Sequence, residues 1–442
     1  MSAGLLAETT RRVDEIVART QAQGGAPSVV AAVLHNGCMA HFRGAGELPA
    51  PDPDTQYRIG SLTKSLTAAL MLQLRDEGRL ALDDPLDEHL PGTSVGSVRL
   101  RQLLGHVAGL QREPDGHWWE RHAGSTLDAL LAGVTPGKLS WAPYRTYHYS
   151  NLAYGLLGAV VRRVSGSTWS DAVSTRLLAP LGMSRTTDAP REPFARGYVV
   201  HPWHGTLHEE PRHDAGAMAP AGQLWSTAAD MVTWAAFLAD PDPAVLSSAS
   251  VAEMAAPVVI ADPENWTSGY GLGLQLWRQG ERVFVGHTGS MPGYLAVLAV
   301  HRPSRTAAIA FANAYSLRGT TIGGLGQSIL EAVLDGEPAP PPRVWRPGLA
   351  PPAEVEPLCG PWWWMGREFE ARWDSDAAEL IIAGRRAGAE EWRFVREAPD
   401  RWRGLSGEND GEVLQVLRDR AGAVRALDIA TFVFTRAPML LD

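Results

Sequence analysis

Cysteine is almost missing from this chain of 442 residues, and the two present, Cys38 and Cys359, are too few for a disulfide framework. Both are expected to stay thiols in a reducing compartment. No basic run of the kind that tracks phosphates occurs, and the net charge of -9 is spread along the sequence, which argues against a nucleic-acid partner. No apolar run approaches the roughly 20 residues of a membrane span, so no membrane partner is expected. Met1 to Gln23 intersperses Glu8, Arg11, Arg12, Asp14, Glu15 and Arg19 with apolar residues, the pattern of an amphipathic surface helix rather than of a secretory segment. The expected location is therefore cytoplasmic. His201, His204, His208 and His213 lie near Glu209, Glu210 and Asp214, but Pro202 and Pro211 interrupt them and no i, i+4 helical pairing of the zincin kind is present. They read as a polar loop, and neither metal nor cofactor is expected.

What is present begins with Ser61-Leu62-Thr63-Lys64, at the start of an apolar-periodic helix with Leu66, Leu70 and Leu74 at i, i+4, i+8. Positions three apart share a helix face, so the Lys64 amine can reach the Ser61 hydroxyl. The helix N-terminus adds partial positive charge where negative charge would develop. Further on come Tyr149-Ser150-Asn151 and Gly286-His287-Thr288-Gly289-Ser290, the second bounded by apolar strand-like runs.

A serine with its lysine, then Y-x-N, then H-T-G on a strand, resembles the serine β-lactamase and penicillin-binding-protein superfamily, in its class C β-lactamase-related branch. Tyr57-Arg58-Ile59-Gly60 before Ser61, the run Leu103 to Leu110, Pro180 to Ser184, Pro220 to Thr227 and Tyr270 to Leu274 extend the likeness over about residues 10–335. The resemblance implies an α/β fold of α+β type, an antiparallel sheet flanked by helices. It also implies roles. Ser61 would be an acylated nucleophile, Lys64 or Tyr149 its base, and Asn151 a group that orients Lys64 and contacts substrate. The backbone N–H groups of Ser61 and Ser290 would form the oxyanion hole. Thr288, Gly289, Trp118 and Trp119 are expected to bind substrate. His287 stands where the β-lactamases carry lysine, and an imidazole there is expected to relay a proton and to titrate near its ordinary value, about 6.5. That difference disfavours β-lactam hydrolysis. His106 is expected to be a buried structural histidine.

The chain otherwise reads as two domains. Asn36-Gly37 between Val29–Leu34 and Cys38–Phe42 predicts a β-hairpin, and strand-like segments return at 269–277, 283–287, 294–301 and 306–312. Residues 1–335 form the expected hydrolase domain. Eight prolines between Gly336 and Pro357 predict a linker over residues 336–357. Beyond it, over residues 358–442, seven short segments from Phe369 to Thr435 predict a small antiparallel, lipocalin-like β-barrel, with Trp362-Trp363-Trp364 as core and interface packing.

The leading expectation is a serine hydrolase acting on a small-molecule or peptide ester or amide. Its rivals are a transacylase or peptide-macrocyclising thioesterase, drawing on a carrier-bound thioester, and a penicillin-recognising sensor that is acylated and never turns over.

Overall fold

The computed structural model describes residues 4–338, 347–386 and 388–438, and the chain divides into two compact units, Met1–Ala339 and Pro340–Asp442. The middle of the expected linker, residues 339–346 with Pro340, Pro341 and Pro342, lies outside the described residues.

In the first unit an eight-stranded antiparallel sheet is assembled from both ends of the sequence. Its strands are β1 (Ser28–His35), β2 (Cys38–Gly46), β3 (Val259–Ile260), β4 (Ser268–Tyr270), β5 (Gln275–Gln279), β6 (Arg282–Met291), β7 (Tyr294–His301) and β8 (Thr306–Ala312), in the spatial order β2-β1-β8-β7-β6-β5-β4-β3. Asn36 and Gly37 both take positive φ between β1 and β2, the type I′ geometry that matches strand twist. The expected strand over 269–277 is instead two, because Gly271 to Leu274 form a turn, with Gly271 N–H bonded back to the Leu274 carbonyl.

Strand β1 shows why both faces are covered. Val30, Ala32 and Leu34 enter the larger apolar cluster, while Val29, Ala31 and Val33 enter a second one with Val13, Val17, Ile329 and Val333. The second cluster is supplied by α1 (Ala7–Gly24) and the last helix of the unit, Ile322–Gly336. On the other face lie α2 (Thr63–Asp76), α3 (Asn151–Ser165) and α4 (Ala228–Ala239). Helix α2 is buried at every residue from Thr63 to Leu74, beyond the single face its leucines predict. A helix so enclosed gives its first turn little freedom; that turn carries Lys64, and Ser61 lies two residues before it.

The second unit is a closed barrel of eight antiparallel strands in sequence order, from Gly360–Trp364 to Phe432–Thr435. One of these strands, Gly360–Trp364, had no alternation to reveal it. It closes the barrel against the last strand through Trp363 opposite Thr435. Residues two apart, such as Phe369 with Ala371, Leu380 with Ile382 and Leu427 with Ile429, point inward around Trp362, Phe394, Trp402 and Phe434. Among the described residues no helix is long and apolar enough to cross a membrane.

Candidate active site

The approach to Ser61 is fixed by backbone. Tyr57 and Arg58 pair with Ser226 and Trp225, and the chain then enters a 3-10 turn, Gly60–Leu62, that runs into α2. Gly60 takes φ of +53°, and a Cβ there would lie 2.8 Å from Ser290 N and 2.9 Å from its carbonyl oxygen. A Cβ on Gly289 would lie 2.0 Å from the Ile59 carbonyl oxygen. The turn thus rests directly on the backbone of β6. Strand β5 pairs with β6 only as far as Gly286, whereas β7 continues to Met291, so β6 has a free edge beside Ser61. Thr288 N–H donates to Gln275 Oε1 on that edge at 2.9 Å. Residues two apart direct their N–H groups alike, so Ser290 N–H faces the same way, as a donor toward an oxyanion requires.

Two groups converge on the hydroxyl. Lys64 Nζ and Tyr149 OH each lie 2.9 Å from Ser61 Oγ, and Lys64 also donates to the Ala221 carbonyl at 2.6 Å. Tyr149 is held by the start of α3. Ser150 caps that helix by accepting Ala153 N–H, donates its own hydroxyl to the Gln111 carbonyl, and gives its N–H to His106 Nδ1. Lys64 is 0 % exposed, and burial pulls its ammonium down to about 7, opposed by the carboxylates of Glu120 and Glu113. Burial drives the Tyr149 phenol the other way, well above its ordinary value of 10. Near neutral pH a large share of Lys64 is therefore free amine while Tyr149 keeps its proton. Burial thus moves the two groups in opposite directions at equal distance from the hydroxyl.

Two details differ from what the sequence suggests. His287 is 1 % exposed, and burial followed by the Lys64 charge lowers it to about 3, so it does not titrate near 6.5. Its Nδ1 lies 2.6 Å from the Thr288 carbonyl and must carry the proton, which leaves Nε2 to accept from Tyr270 OH at 3.0 Å. Asn151 shows no hydrogen bond to Lys64. Its Nδ2 instead donates to Glu113 Oε1 at 2.8 Å. His106 is buried among Tyr149, Tyr154 and Tyr270, with ring centroids 4.3 to 5.3 Å away, and sits at φ of +56°.

Of the expected substrate contacts, Trp118 is 45 % exposed and Trp119 is buried, each indole donating to a carboxylate, Glu120 and Glu113 respectively. Thr288 is half-buried against Gln275, and Gly289 is buried beneath Ile59. Sequence reasoning missed Glu113, Glu120, Tyr270 and the Ala221 carbonyl. The two carboxylates flank the tryptophans already singled out, and that juxtaposition was the available signal. A separate cavity of about 720 Å³, lined by Trp169, Asp188, His213 and Trp225, includes neither Ser61 nor Lys64.

The family model described as Beta-lactamase matches residues 13–320, and one described as a domain of unknown function, DUF7586, matches 351–436. "Beta-lactamase-like protein 2" of Dictyostelium discoideum is 26% identical over 67% of this chain, which spans 58% of that protein's length. "Penicillin-binding protein 4" of Amycolatopsis lactamdurans is 29% identical over 72% of the chain and 86% of its own length. Among solved structures, a D-stereospecific amidohydrolase from Streptomyces sp. is 26% identical with a TM-score of 0.63, covering 74% of this chain and 99% of that one. SurE is 26% identical with a TM-score of 0.61, covering 97% and 99%.

Proposed function

The chain belongs to the beta-lactamase family, whose members are serine hydrolases, and on that footing we propose that it forms an acyl-enzyme on Ser61 and cleaves an ester or an amide. The observation that carries this reading is the pair of 2.9 Å contacts on Ser61 Oγ, from a lysine near its neutral form and a tyrosine that keeps its proton. Free Lys64 amine takes the hydroxyl proton as Ser61 attacks the carbonyl. The backbone N–H groups of Ser61 and Ser290 hold the oxyanion. Tyr149, within reach of the same oxygen, passes a proton to the leaving group and is reprotonated through Lys64. Water then enters, Lys64 takes its proton, and the second tetrahedral species collapses as Lys64 returns that proton to Ser61 Oγ, releasing acid and free Ser61.

His287 enters as the group that holds Tyr270 beside the tyrosine cluster, not as a titrating relay. A neutral imidazole there offers no fixed cation to a substrate carboxylate, which supports a substrate other than a β-lactam. The amidohydrolase named above, with an amide substrate in its name, supports amide cleavage. The test is incubation with p-nitrophenyl esters, D-amino-acid amides and peptidyl thioesters, followed by intact-mass detection of an adduct on Ser61. An adduct that decays to free acid fits hydrolysis; one that persists fits a sensor. No adduct with any of the three classes argues against the reading.

A further inference from the structure

We propose that the separate cavity lined by Ala219, Pro220 and Trp169 is a binding site for a small monocarboxylate with an apolar body, distinct from the cleft that holds Ser61. This goes beyond the serine hydrolase reading and does not depend on it.

At about 720 Å³ the cavity has the size of a small-molecule pocket. Its apolar wall is built by close packing. A Cβ on Gly158 of α3 would lie 2.1 Å from Pro220 Cγ, so the helix and the Ala219–Gly222 turn touch directly. Buried Trp169 and Trp225 continue the wall. Trp169 Nε1 donates to Thr67 Oγ1 at 3.1 Å, and that hydroxyl donates to the Pro220 carbonyl at 2.9 Å, which ties the indole to α2 and to the turn. Gln223 fixes the polar side, donating from Nε2 to the Asp188 carbonyl at 2.6 Å and accepting the Ala215 N–H at 3.0 Å through Oε1. The wall is therefore set before a ligand arrives, and little ordering opposes binding.

The polar rim is uneven in what it still lacks. Its carboxylates already have donors: Asp188 accepts from Ser170 Oγ at 2.6 Å, and Asp214 from Gly216 N–H at 2.8 Å. Its guanidiniums have no acceptors. Arg162 lies one turn beyond Gly158 on α3, and Arg212 rests 5.0 Å over the Phe194 ring; among the described residues neither side chain makes a hydrogen bond or an ion pair. A third guanidinium stands behind Gln223. Arg58 is 2 % exposed, donates to Gln223 Oε1 at 3.3 Å, has a buried Nε without a partner, and forms no ion pair among the described residues.

The two rim aspartates balance the two rim arginines, so Arg58 leaves one positive charge in excess among the groups that line or back the cavity. A buried charge without a counter-ion is costly, and an anion in the cavity relieves it. His213 adds no charge: its Nε2 donates to the Trp119 carbonyl at 3.0 Å, burial holds it below its ordinary value, and its Nδ1 is buried away from the opening. One excess charge matches a carboxylate rather than a dianionic phosphate, and the planar guanidinium fork fits carboxylate oxygens. The apolar wall takes the rest of the molecule.

The test is calorimetric titration of the full chain carrying Ser61→Ala with 4-phenylbutyrate, 4-phenylbutyramide and 4-phenylbutylamine, which share a body and differ in the head group. Saturable binding is expected for the carboxylate, about tenfold tighter than for the amide, with the ammonium weakest. Arg162→Gln and Arg212→Gln should each weaken the carboxylate by roughly three- to tenfold and leave the amide unchanged. Arg163→Gln, the next residue on α3 and outside the cavity, should alter neither. Ala189→Trp, an exposed change in the lining, should weaken all three by filling space. Equal affinity of acid and amide overturns the site without recourse to any rim variant, and so does the absence of saturable binding. Carboxylate affinity indifferent to both rim arginines, or lost when a phosphonate occupies Ser61 of the wild-type chain, would place the ligand elsewhere and overturn it too. Failure of Ser61 to take the phosphonate, with carboxylate binding intact, counts against the hydrolase reading alone.

Discussion

The two units bury different chemistry. In the first, Lys64, Arg58, His106, His287 and Asn151 lie at or near zero exposure, several with a polar atom unpartnered. In the barrel, Asn409 is the one buried polar side chain among the described residues, and the charges pair outside, as Arg393 does with Glu379 and Arg418 with Asp400. The barrel interior of Trp362, Phe394, Trp402 and Phe434 is aromatic and uncharged, its unpartnered polar atom being the Trp402 indole N–H. Buried amines and imidazoles cost free energy unless paired, so their concentration around Ser61 marks where reactivity, not stability, set the residues.

The largest test of that contrast is catalytic. Ser61→Ala should abolish labelling by a serine-directed phosphonate and lower turnover by about 10⁴-fold or more. Lys64→Ala and Tyr149→Phe should each come close to that loss and combine far from additively, because both act on one oxygen. Independent, additive losses would separate them.

Stability should respond in opposite directions. Phe394→Ala in the barrel should cost roughly 3–5 kcal/mol by denaturant unfolding, from lost burial and the cavity left behind. Lys64→Met should instead stabilise the first unit by about 1–3 kcal/mol while destroying activity, since it removes a buried amine whose folded value is pulled far below that of the unfolded chain. A destabilised Lys64→Met would show that its bond to Ala221 outweighs its burial.

The pH dependence follows from the same burial. Activity should fall about tenfold per unit below a limb near 7 as Lys64 is protonated, with no separate limb from His287. Because the folded chain holds His287 near 3 against about 6.5 when unfolded, it binds fewer protons there. Stability from that group is complete above 6.5 and declines by about 1.4 kcal/mol per unit as pH falls toward 3, which acid unfolding monitored by circular dichroism would read. His106, lowered in the same direction, adds to the slope.

Smallest is the surface term. Arg403→Gln breaks the 2.8 Å pair with Glu397 on the barrel surface and should leave the denaturant midpoint essentially unchanged, since solvent screens an exposed pair.

Several elements were legible in one dimension because their signals are local. The Asn36-Gly37 turn, the spacing of Ser61 and Lys64, and the Y-x-N before α3 each lie within a few residues, where helix and turn geometry fix relative positions. The barrel was legible from the regular return of short strands, except Gly360–Trp364, whose consecutive tryptophans carry no period of two. A chain can specify such pieces because backbone sterics and side-chain spacing act over a turn of helix or a pair of strands.

Tertiary structure alone decided the rest. Only packing brings Tyr149 to Ser61 across 88 residues, Ala221 to Lys64 across 157, and Asn151 to Glu113 rather than to the lysine. Only depth of burial makes Lys64 the group near neutrality, keeps the proton on Tyr149 and silences His287, since desolvation depends on everything around a charge and not on its neighbours in sequence. Residue identity determined which titratable groups were available, and the dielectric of the folded interior determined the direction in which each is shifted.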